Sequence, residues 1–195
     1  MPDAGALWYL LAPETAIENT RIPLKKQWPY FILVFAVPIL AVMWWWGLFT
    51  TPGLQVVSSQ PCRYAYVDYT GPYSQVGDQQ HALEFQLQQQ GITPLGKITL
   101  ILDDPRSTPP KQGRAHVGYL IAAGATPAAP VPFADLPARK VVRVTIKGHP
   151  LITYGKAYGT LLAYLEQHGM TLRLPTVERY DHSILTVEMP LENAP

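Results

Sequence analysis

The chain has 195 residues and a formal net charge of +1, with 15 Lys and Arg against 14 Asp and Glu. This balance gives no sustained field for holding nucleic acid or an acidic partner, so no nucleic-acid role is expected. A single cysteine, Cys62, excludes an internal disulfide and a cysteine-based metal knuckle, and the 20 prolines gather in loops such as Pro105 to Pro110 and Pro127 to Pro137.

Residues 1–28 read as a short N-terminal segment, in which Ala6 to Leu11 is an apolar run without an assigned role. From Tyr30 to Phe49 no charged or amide side chain occurs over 20 residues. At about 1.5 Å per residue that length crosses a hydrocarbon core of roughly 30 Å, which predicts a transmembrane helix over residues 29–50. Trp28 and Tyr30 at one end and Trp44, Trp45 and Trp46 at the other match aromatic belts at the two interfaces, and Pro38 sits mid-span. Arg21, Lys25 and Lys26 precede the span, whereas Arg63 is the first basic residue after it. The positive-inside rule then predicts a single-pass inner-membrane protein with its N-terminus cytoplasmic and its C-terminal domain periplasmic or extracellular. The late start and length of the apolar run fit an uncleaved signal anchor. Residues 51–61 read as a linker.

The remainder, residues 62–191, repeats itself. Thr70-Gly71-Pro72-Tyr73, Gly77, Leu83, Leu87, Gln89 and Gly91 are answered by Lys147-Gly148-His149-Pro150, Gly155, Leu161, Leu165, Gln167 and Gly169, with one residue inserted near His149. In the first repeat (62–124), Arg63 to Tyr69 predicts a strand, Tyr73 to Gln90 an amphipathic helix stopped by Gly91, and Lys97 to Leu102 and Ala115 to Ala122 two further strands. The second (133–191) follows suit: strand Val141 to Ile146, helix Ile152 to His168 stopped by Gly169, and strands Thr176 to Tyr180 and Ile184 to Met189. Strand-helix-strand-strand taken twice predicts an α+β fold, an antiparallel sheet with two helices on one side, preceded by the transmembrane helix.

The Thr70-Gly71-Pro72-Tyr73 turn, the helix ending at Gly91, the Asp103-Asp104-Pro105 loop, the Leu136-Pro137 lead-in and Glu178-Arg179-Tyr180 resemble the GyrI-like small-molecule-binding domain, the effector-binding half of several multidrug-responsive regulators. The resemblance spans about residues 62–191 and implies a ligand pocket between the repeats, with a carboxylate and aromatic walls. Glu178 stands where the family has its pocket glutamate, which in drug-responsive relatives faces flat, apolar cations. The resemblance implies no cofactor. Some relatives resemble hydrolases of cyclopropane-bearing compounds, in which a glutamate is implicated. The 28 residues before the span leave no room for a helix-turn-helix, so a transcription regulator is not expected. In the second turn, Gly148-His149-Pro150-Leu151 departs from the family's aromatic after proline, which predicts a different pocket rim on that side.

Strand alternation places Thr176, Glu178 and Tyr180 on one face. A carboxylate in an aromatic-lined hollow is either a selector for cations or a general base. Tyr180, Tyr64, Tyr66 and Tyr119 are the candidate aromatic walls. Asp103-Asp104 reads as a turn. His81, His116, His149, His168 and His182 show no ligand spacing, so no metal site is expected. These residues predict a membrane-anchored protein that captures an apolar or cationic small molecule. The alternatives are a hydrolase of reactive xenobiotics with Glu178 activating water, and a protein-interaction module with a vestigial pocket.

Overall fold

A computed structural model describes residues 24–72 and 75–191. Arg21, the Ala6 to Leu11 run and Tyr73 of the first turn lie outside these. Helix α1 spans Leu24–Trp45 and contains Pro29 and Pro38. It ends earlier than the expected 29–50, because Trp46 to Phe49 form a turn. Among the described residues it is the one helix long and apolar enough to cross a membrane, over Trp28–Trp45.

Eight strands form one antiparallel sheet: β1 (Gly53–Ser58), β2 (Cys62–Thr70), β3 (Gly96–Ile101), β4 (Arg114–Ile121), β5 (Phe133–Leu136), β6 (Lys140–Lys147), β7 (Thr176–Asp181) and β8 (Ile184–Pro190), in the order β1-β6-β8-β7-β3-β4-β2-β5. Helix α2 (Val76–Gln89) follows β2, and α3 (Pro150–Gln167) follows β6. The duplication is real down to the backbone: Gly91 and Gly169 close the two helices at φ +70° and +62°, a left-handed conformation that a glycine adopts without strain.

Residues 51–61 are not a linker. Gly53–Ser58 form β1, which pairs with β6 of the second repeat from Gly53↔Thr145 to Ser58↔Lys140, and β5 pairs reciprocally with β2 of the first. Each repeat therefore lends a leading strand to the other, and the first repeat starts at 53 rather than 62. The alternation in Leu54-Gln55-Val56 is too short to stand out, and edge strands need a partner that only the fold supplies.

The connections force the sheet to curl. Three residues join β5 to β6, and three join β1 to β2, so each link reaches at most about 14 Å. In a flat sheet the strands they join would stand six spacings, roughly 29 Å, apart. The two links meet: Ser59 N donates to Arg139 O at 2.8 Å, and Arg139 N donates to Ser59 Oγ at 3.2 Å. Inside the curl, Leu136 of β5 and Val177 of β7 share one core cluster with Tyr64, Ile98 and Leu100.

Both helices pack on the other, convex face. Leu83 and Leu87 of α2 bury against Ala65, Tyr119 and Ile121, while Ala157, Leu161 and Leu165 of α3 bury against Val142, Val144, Ile146, Leu185, Val187 and Met189. Each fully buried leucine contributes on the order of 2 kcal/mol of transfer free energy. Because α2 lies on β2 and β4 and α3 lies on β6 and β8, the two central strands, β3 and β7, carry no helix above them among the described residues.

Candidate ligand-binding site

That uncovered strip is the floor of a cavity of about 840 Å³, in the range of small-molecule pockets. The register Thr99↔Glu178 puts these two side chains side by side on the helix-bearing face, with Ile101 and Tyr180 along the same strands. One wall is α2, through Val76, Gly77 and Gln80; the other is α3, through Leu151, Tyr154, Tyr158 and Leu162. Asp104 and Arg106, paired at 2.7 Å, form a lip from the β3–β4 loop.

Glu178 is the buried charge of this lining, at 9% exposure. Burial away from water raises its pKa to about 7, and a hydrogen bond from the Tyr158 hydroxyl to Oε1 opposes the rise in part. Tyr154 is pushed up as well, by burial first and by the Glu178 charge second. Tyr180 is anchored differently: its hydroxyl donates to Gly148 O at 2.9 Å. Gly148 sits at φ +155° with Trp46 O 2.6 Å from where a Cβ would stand, so the turn into α3 requires glycine. The same turn carries the rim residue of the departing motif. His149 caps α3 through Nδ1, which accepts from Leu151 N, and its ring stacks on Trp46 at 4.4 Å. Lys156 donates to the carbonyls of Leu48 and Thr50, the latter at 2.9 Å. The segment that leaves α1 is thereby fastened to the helix that walls the cavity.

Of the five residues singled out from the sequence, Glu178 and Tyr180 meet in the cavity and three tyrosines do not. Tyr64 and Tyr66 lie on the concave face, opposite Glu178, because even-numbered positions of β2 point there; Tyr66 stacks on His116 at 4.1 Å and Tyr64 Oη lies 3.2 Å from His116 Nδ1. Tyr119 is on the helix-bearing face but beneath α2, where its hydroxyl donates to Glu84 Oε2 at 2.9 Å. The aromatic walls are instead Tyr154 and Tyr158. Their spacing with Leu162, four residues each time, was a readable second stripe beside the core stripe Ala157, Leu161 and Leu165. Asp103 and Asp104 are each held by an arginine, Arg114 and Arg106 respectively.

A family model described as a GyrI-like small molecule binding domain matches residues 53–186. No curated protein matches the sequence. Among solved structures, the cryo-EM structure of the EcmrR–DNA complex is similar with a TM-score of 0.61 and 17% identity, over 89% of this chain and 70% of that one. The crystal structure of the EcmrR C-terminal domain is similar with a TM-score of 0.59 and 18% identity, over 75% of this chain and 99% of that one. At these identities the likeness is one of fold.

Proposed function

Because the chain belongs to the family of GyrI-like small-molecule-binding domains, we propose that it is a membrane-anchored binding protein that captures an apolar or cationic compound between its two repeats. The observation that carries this reading is the carboxylate of Glu178, buried among Tyr154, Tyr158 and Tyr180 with lining from both repeats around it. Ionising a carboxylate there is unfavourable until a cation arrives to pair with it. The tyrosine faces add cation–π attraction, and the apolar wall residues favour a bulky ligand over a hydrated metal ion. The test compares a lipophilic quaternary ammonium with its uncharged tert-butyl isostere on the parent and on Glu178→Gln. The substitution should weaken the cation by about 1 to 3 kcal/mol and leave the isostere unchanged. Equal losses for both compounds would sink the cation reading; no loss for either would sink the site.

The anchor is the other half of the proposal. It is supported by the apolar, exposed stretch Trp28–Trp45 and by the basic residues before it. Alkaline phosphatase fused after Pro195 should be active in a bacterial host, since that enzyme needs an oxidising compartment for its disulfides. A stably expressed but inactive fusion would reverse the orientation.

One observation favours a second reading, hydrolysis of a reactive compound. A carboxyl with a pKa of about 7 and a tyrosine hydroxyl on its oxygen is suited to take a proton from water at neutral pH. In that case Glu178→Gln abolishes turnover while substrate still binds.

A further inference from the structure

The concave face holds a second hollow, of about 430 Å³, lined by Ser58, Gln60, Arg143, Thr145, Arg179, Thr186 and Glu188. Six of these seven can donate hydrogen bonds. The seventh, Glu188, is 1% exposed and already engaged on both oxygens: Arg143 Nε donates to Oε1 at 2.7 Å, and an Arg179 terminal nitrogen donates to Oε2 at 3.0 Å. Each guanidinium has five N–H groups, so one carboxylate leaves most of them unused. Among the described residues, Arg179 Nε and the Nε of nearby Arg139 are buried without an acceptor. Arg139 feels the Glu188 charge, and its own pKa is lowered by burial. Two arginines thus share one carboxylate in the lining, which leaves an excess of one positive charge in a hollow open to solvent, and Arg139 lies within reach of the same carboxylate's field.

The fold does not require this arrangement. Counting by the repeat, Arg143 of β6 corresponds to Tyr66 of β2, and the registers Arg143↔Glu188 and Tyr66↔Gly118 make Gly118 the counterpart of Glu188. The pairing of Arg143 with Glu188 therefore has no charged counterpart in the first repeat, where the neighbouring pair Asp68 and His116, 3.1 Å apart, answers Thr145 and Thr186 instead. A buried ion cluster is also a poor way to add stability, since desolvation offsets most of the attraction.

We propose that this hollow is a second binding site, distinct from the Glu178 cavity, for a small oxyanion of the phosphate class. Arg179 and Arg143 supply charge-assisted donors to the phosphate oxygens, and the hydroxyls of Thr145 and Thr186, which face each other across β6 and β8, supply neutral ones. Glu188 holds both guanidiniums in place and limits their pull.

The test titrates inorganic phosphate into the full chain held in phosphatidylcholine nanodiscs, at constant ionic strength, with chloride as the control anion. Saturable phosphate binding is expected. Arg179→Gln should weaken it about tenfold or more, the loss of one charge-assisted contact. Thr186→Val, which preserves shape and leaves the ion cluster intact, should weaken it less but measurably. Glu188→Gln removes the competing charge and keeps an acceptor, so it should tighten phosphate, the opposite of what a purely structural ion cluster predicts. A second arm includes phosphatidate in the nanodisc: lowered apparent phosphate affinity assigns the site to a lipid headgroup, unchanged affinity to a free phosphate compound. Absence of saturable binding, or binding equal in all four proteins, would overturn the proposal.

Discussion

The ligand-free protein should lose stability as pH rises from about 5 to 8, and Glu178→Gln should remove that loss. Folded, Glu178 has a pKa of about 7 against an ordinary value of 4.5. Between these values the native state keeps a proton that the unfolded chain has released, so the native state binds more protons and stability falls with rising pH. The effect is absent below the unfolded value and complete above the folded one. Its size is about 3 kcal/mol. His116, whose pKa is lowered by burial, tilts the curve the other way by losing stability in acid. The difference between parent and variant isolates Glu178. At pH 4 the two should melt together, and at pH 8 the variant should be the more stable. Cation affinity should mirror this, rising roughly a hundredfold from pH 5 to 8 as the carboxylate ionises, with no such rise in the variant. Should the variant be less stable at pH 8, Glu178 would be a partner in a structural ion pair and the ligand pocket would need another charge.

Gly118→Ala should prevent folding. A Cβ at this position would lie 1.9 Å from Ala65 O and 2.8 Å from Tyr66 Cα, both backbone atoms of the neighbouring strand β2. Backbone inside a sheet cannot step aside without breaking the β2–β4 ladder, which runs from Arg63↔Ile121 to Thr70↔Arg114. A loss above about 4 kcal/mol follows, a large part of the 5–15 kcal/mol that holds a typical domain. Gly159→Ala is the control. It lies within α3, nothing stands within 4 Å of its would-be Cβ, and it should gain about 0.5 to 1 kcal/mol of helix propensity. Circular dichroism melts of both variants read the contrast. A folded Gly118→Ala protein with a near-parental melting point would show that the two strands do not approach so closely.

The features legible in the sequence are those set by near neighbours. The apolar helix, the two amphipathic helices with their closing glycines, and the shared face of Glu178 and Tyr180 each follow from a period of 3.6 or 2 within one element. The duplication was legible for the same reason, since turn and helix chemistry recurs at fixed spacing. Which elements meet was decided only in three dimensions. β1 and β5 are short edge strands that cross to the opposite repeat, so their pairing leaves little local trace. Tyr64 and Tyr66 alternate as regularly as Glu178 and Tyr180 do, yet nothing within β2 says whether their face is the one that looks toward the helices. That depends on the register passed from strand to strand through β4, β3 and β7. The hollow over the central strands exists because each helix covers only its own repeat's outer strands, and the charge of Arg143, Glu188 and Arg179 gathers because the register of the neighbouring strands β6, β8 and β7 sets the three residues side by side on the concave face. Side-chain alternation is local and register is not, so the chain spells out its faces but only the assembled sheet assigns them to opposite sides.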